Sequence, residues 1–179
     1  MKILSMKTTI FLGAMLSLLV CLMFTGCSNS ETNSTSRGLT DFAHIEEEYL
    51  ATIDSLNWPD GIALPDKLED EDTGASFQVG YGETRASYLW EYSWMKEWLD
   101  TYNTDPERAE KALEELEKAF DMPYMGIDRC DDATRNYLRE NIDKAKLGDP
   151  SGFTESIRAN YANSIYLLNL TDYFRRCNL

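Results

Sequence analysis

ETRASYLWEYSWMKEWLDTY, residues 83–102, is the stretch that decides the fold. At the helical step per residue, Tyr88, Tyr92, Met95, Leu99 and Tyr102 fall within about 80° of arc. Trp90, Trp94 and Trp98 form a second stripe, roughly 120° from the centre of the first. Arg85, Lys96 and Asp100 occupy the arc that remains. A helix apolar over most of its circumference is normally enclosed by other elements. This one is therefore expected to be the central helix of a helical array. The competing reading leaves Trp90, Trp94 and Trp98 partly open, as a platform that stacks on a ligand such as a glycan. Glu91 and Glu97 flank the Trp stripe, but they lie roughly 120° apart around the helix and do not converge as an acid–base pair.

Four further helices are predicted around it. Thr40 or Asp41 caps one that runs to about Leu56, with Phe42, Ile45, Tyr49, Ile53 and Leu56 on one face. Asn57-Trp58-Pro59-Asp60-Gly61 stops it, because Pro59 bars Trp58 from helical geometry and Pro-Asp-Gly favours a turn. Thr104-Asp105-Pro106 opens the next, by a capping residue followed by proline at the first helical position. Its stripe is Ala109, Ala112, Leu113, Leu116, Ala119 and Phe120, and Met122-Pro123 ends it. Asp131 or Asp132 caps a fourth, with Tyr137, Leu138, Ile142 and Ala145 inward and Gly148 as the stop. The fifth starts at Asp149-Pro150-Ser151 and is predicted to run to Phe174, with Phe153, Ile157, Tyr161, Ile165 and Leu168 along one side.

Extended structure is expected only near residues 62–64 and 77–81, where Phe77, Val79 and Tyr81 alternate with Gln78 and Gly80. Ile62–Leu64 is the candidate partner strand, the alternative being that both segments are simply extended connections. The fold class is thus all-α: one domain, residues 40–179, of about five helices in a bundle-like array.

Upstream of this domain, two lysines (Lys2, Lys7) precede an uncharged apolar run from Thr8 to Met23. Phe24-Thr25-Gly26-Cys27 follows. A charged start, a short apolar core and small residues define an export signal. Thr25-Gly26-Cys27 resembles the lipobox of bacterial lipoproteins, with Phe24 in the place usually held by leucine. The resemblance implies cleavage after residue 26, a diacylglycerol on Cys27, and a location on the extracytoplasmic side of a cell membrane or outer membrane. An ordinary secretory signal and an uncleaved spanning helix are the alternatives, although a span usually needs roughly 20 apolar residues. Residues 27–39 are then a lipid-anchored tether. Ser28 to Gly38 contains no aliphatic or aromatic side chain, so it cannot bury enough surface to offset its ordering entropy.

Residues 27–179 carry 15 Lys and Arg against all 31 Asp and Glu, a net charge of −16 with His44 neutral. Nucleic acid is a poor partner for such a surface, since its affinity rests on basic contacts to phosphate. The partners expected are the membrane, through the lipid, and an envelope protein or glycan. In an exported chain disulfides persist, and Cys130 with Cys177 is the natural pair; two free thiols are the alternative.

Motifs for chemistry are sparse. His44 is the only histidine, which excludes a multi-histidine metal site and is expected to pair with Glu48 one turn on. The acidic run Asp66 to Gly74 fits the calcium-loop pattern in no register. Gly80-Tyr81-Gly82-Glu83-Thr84-Arg85 precedes the central helix, where backbone amides can hold an anion. Gly80, Gly82 and Arg85 are therefore candidate ligands for a carboxylate or phosphate group, the plain strand-to-helix turn being the other reading. No catalytic residue, metal site or cofactor is assigned. A non-enzymatic binding or interaction role is expected, with a glycan-binding protein or a carboxylate-dependent hydrolase as the alternative.

Overall fold

The computed structural model describes residues 38–69 and 71–160. Its elements are β1 (Leu39–Thr40), α1 (Phe42–Ser55), β2 (Phe77–Gln78), α2 (Tyr81–Thr101), α3 (Pro106–Glu117), two short 3-10 turns (Lys118–Asp121 and Pro123–Met125), α4 (Asp132–Lys146) and α5 (Ser151–Asn160). The domain is mainly α, as predicted. The lipobox, Cys177 and the stripe positions Tyr161, Ile165 and Leu168 lie outside the described residues.

Three of the helix starts follow from capping chemistry. Asp41, Asp105 and Asp131 each accept a hydrogen bond from the amide three residues on, at His44, Arg108 and Thr134. Such a bond satisfies one of the amides that a helix start leaves without an intrahelical partner. At the other end of α1, the Trp58 indole donates to the carbonyl of Ile53 at 2.9 Å. The stop that Pro59 imposes is thereby closed with a hydrogen bond.

Helix α2 is central. It packs against α1, α3 and α5, and against the second 3-10 turn. One face joins Ile45, Tyr49 and Ile53 of α1 through Ala86, Leu89 and Tyr92. Another joins Ala112 and Leu116 of α3, Ile142 of α4 and Phe153 of α5 through Trp90, Trp94 and Trp98. The two clusters share half-buried Trp58 and Ile157 at their margins.

Two glycines set the closest approaches. A Cβ on Gly82 would lie 1.8 Å from the Ile45 carbonyl oxygen, so α1 and α2 cross with backbone against backbone. A Cβ on Gly152 would lie 2.6 Å from Asn141 Oδ1, where α5 crosses α4. That second crossing corrects one prediction. Tyr137 was expected inward, yet it is 39% exposed. Asn141, one turn on, takes the buried position beneath Gly152.

The β element also differs from expectation. Leu39 and Thr40 pair antiparallel with Gln78 and Phe77, and the Val79 amide extends the ladder to the Gly38 carbonyl at 3.1 Å. Ile62–Leu64 forms no strand; Ile62 instead packs, half-buried, against the α1–α2 cluster. Only Ile62 is drawn into that apolar contact; Ala63 and Leu64 stay exposed. Leu39, predicted as the last tether residue, already belongs to the domain.

Candidate functional site

Three places in the sequence carried candidate chemistry, and a fourth emerges from the fold. The first is the start of α2. Gly80 adopts the left-handed region (φ 88°) that favours glycine, and no side chain of its own segment caps the helix. The amides of Gly80 and Gly82 do point at a carboxylate, but it is the chain's own. Glu48 of α1 accepts from Gly80 at 2.7 Å through Oε1 and from Gly82 at 3.2 Å through Oε2. His44 Nε2 stands 3.4 Å from the same Glu48 Oε1, the i, i+4 pair the sequence predicted. Arg85 does not join this group. It turns to Glu71 at 3.5 Å, which also accepts from the Tyr81 hydroxyl at 2.8 Å. Burial first, then that carboxylate, raises the Tyr81 hydroxyl above its ordinary pKa. Arg129 lies against Gly80 and pairs with Glu83. The expected anion site of Gly80, Gly82 and Arg85 is therefore a helix cap filled from within. Sequence reasoning missed Glu48 because it lies 32 residues before Gly80, and only the α1–α2 crossing brings the two together.

Removing the Glu48 carboxylate leaves two amides at a helix start without their acceptor. Glu48→Ala is expected to cost about 1–2 kcal/mol. Glu48→Gln, which keeps one acceptor oxygen, should cost less. Urea unfolding followed by circular dichroism measures both.

The second place is the Trp stripe. Trp90, Trp94 and Trp98 are at most 2% exposed. Trp90 and Trp94 donate their indole N–H groups to one carbonyl, that of Asn57, at 2.8 and 3.1 Å. Trp98 stacks on Tyr102 (centroids 4.6 Å apart) and meets Phe153 edge-on. A face that must receive α3, α4 and α5 has no room to stay open, so the expected stacking platform is corrected to core. The flanking carboxylates are engaged as well. Glu97 is held bidentately by Arg108 at 2.7 and 3.0 Å, and Glu91, buried, accepts from the Tyr124 hydroxyl at 2.8 Å.

The third is Cys130, which forms no disulfide among the described residues; its expected partner Cys177 lies outside them. The thiol sits 3.5 Å from Met125 Sδ, at the end of the turn that leads into α4. Burial pushes it above its ordinary pKa, against the opposing pull of Arg135. Tyr88 is raised too, by burial first and then by Glu91.

The fourth place is a groove of about 500 Å³ between the end of α2, the outer side of α3 and the end of α4. Its floor is Trp98, Tyr102, Ala109, Leu113 and Ala145, and its rim is Glu110, Glu114, Glu117 and Lys146. The volume falls within the range typical of ligand sites, roughly 300–1,000 Å³. A smaller pocket of about 30 Å³ beside Pro59, Tyr92 and Lys96 has room for about one water.

Among the described residues no helix is long and apolar enough to cross a membrane, and no group of three or more His, Cys, Asp or Glu side chains could hold a metal ion. No protein-family model matches this chain, and neither a curated protein nor a solved structure matches it.

Proposed function

We propose that this chain is a lipid-anchored envelope protein whose helical domain binds a partner and catalyses no reaction. The observation that carries the reading is Phe24-Thr25-Gly26-Cys27 at the end of an apolar run, followed by a polar tether. Cys27 is the lipidation site in this reading, and the extracytoplasmic side of a cell membrane or outer membrane is the location. Export also favours a disulfide between Cys130 and Cys177. Support for binding over catalysis comes from the carboxylates beside the Trp stripe. Arg108 neutralises Glu97 and the Tyr124 hydroxyl occupies Glu91, so neither stands ready for acid–base work. The groove at the end of α2 offers an apolar floor of the kind that receives another molecule.

The anchor is tested by metabolic labelling with palmitate. Label is expected on the wild-type chain and none on Cys27→Ser, which should also appear in the soluble fraction. Equal labelling of the two would remove the anchor. Site-directed crosslinking in intact cells tests the binding role, which requires at least one discrete adduct.

A further inference from the structure

We propose that the groove formed by α2, α3 and α4 is the docking site for a cationic amphipathic segment of another envelope protein. The inference rests on the binding role proposed above and names the chemistry of the partner. Charge complementarity carries it. Glu110, Glu114 and Glu117 stand at i, i+4 and i+7 along α3 and so line one edge of the groove. Glu110 and Glu114 are exposed and make no ion pair among the described residues. Glu117 is matched by Lys146 across the groove. Three carboxylates thus face one ammonium, on a domain already strongly acidic.

Between these charges the surface is apolar. Leu113 and Tyr102 are half-buried in the floor. Leu147, between the lining residues Lys146 and Gly148, is 88% exposed. An isolated exposed leucine needs no explanation, but one flanked in sequence by two residues of the groove wall adds apolar surface beside the groove that a partner can cover. A segment with aliphatic side chains on one face and Lys or Arg along its flank satisfies both parts. Its apolar face covers Leu113, Tyr102 and Leu147, and its cations meet Glu110 and Glu114. An acidic or purely polar segment satisfies neither.

The probe is a fluorescein-labelled helical peptide of leucines on one face and lysines on the other, with a glutamate-for-lysine counterpart. The protein is the exported chain, residues 27–179 with Cys27→Ser, so that no lipid competes for the peptide. Fluorescence anisotropy should show saturable binding of the lysine peptide, weakened by added salt, and none of the glutamate peptide. Glu110→Lys with Glu114→Lys should weaken it by about tenfold or more, and Leu113→Glu likewise. The reversals Glu47→Lys and Asp54→Lys, on the exposed side of α1, which contributes no residue to the groove, should change it by less than about twofold. Circular dichroism confirms that each variant is folded. Absence of binding, or equal losses from the two pairs of reversals, would overturn the proposal. So would binding that arises only once residues 161–179 are deleted, since the groove would then belong to this chain's own C-terminal segment. In cells, an adduct that persists in Leu113→Glu places the partner elsewhere and leaves the binding role standing. Failure to form any adduct removes the role itself.

Discussion

Gly82→Ala is expected to be among the most destabilising single changes in the domain, at about 3 kcal/mol or more. The added methyl would sit 1.8 Å from the Ile45 carbonyl oxygen and 2.9 Å from the Tyr49 amide nitrogen. Both are backbone atoms of α1, so no side chain can swing aside to make room. Relief requires the two helices to separate, and separation also draws Glu48 away from the amides of Gly80 and Gly82. Packing and capping are lost together. Gly38→Ala is the control, because a Cβ there meets nothing within 4 Å. Urea denaturation should show a large fall in the midpoint for Gly82→Ala and almost none for Gly38→Ala. A Gly82→Ala protein within about 0.5 kcal/mol of wild type would show that the crossing is not as tight as described.

Trp90→Ala should cost about 3–5 kcal/mol, the usual range for a large aromatic removed from a core. Trp90 is 1% exposed and sits where α2 meets the chain that leaves α1. Its truncation opens a void beside Trp94 and takes one of two donors from the Asn57 carbonyl. Trp90→Phe keeps most of the volume and loses the hydrogen bond, so it should fall well short of the alanine cost. Chemical denaturation orders the two. Acrylamide quenching supplies an independent check on the wild-type protein. Half-buried Trp58 should supply most of the quenchable emission, and the stripe of Trp90, Trp94 and Trp98 little of it. Ready quenching of most of the emission would return the stripe to the surface.

Local signals in the sequence translated well into structure. Asp41, Asp105 and Asp131 were readable as caps because a cap needs only its own residue and an amide three positions on. The apolar stripes of α1 and α3 were readable because their period is the helix's own. The failures all depend on partners distant in sequence. Helix α2 starts at Tyr81, ahead of the 83–102 stretch read from the sequence as the central helix, because Glu48 supplies a cap that nothing near Gly80 announces. The partner of β2 is Leu39–Thr40, nearly 40 residues upstream, and the more apolar Ile62–Leu64 looked the better strand. Asn141 displaced Tyr137 from the interior because Gly152 brings α5 down onto it. The groove was invisible for the same reason. Its residues come from three helices, and each alone reads as an ordinary amphipathic face.

The pairing of β1 with β2 has a mechanical consequence. β1 is where the N-terminal segment joins the domain, and β2 leads directly into the start of α2. The groove lies at the opposite end of that helix, about 30 Å away along its axis. Any tension between an anchor at Cys27 and a partner held in the groove would therefore enter beside Gly80 and leave beside Trp98. Helix α2 would carry it lengthwise, packed against α1, α3 and α5. A pull in that direction must slide the central helix out of its sheath, whereas a pull at right angles would peel one helix at a time. With the anchoring and docking proposed above, the central helix is the element through which load passes from one to the other.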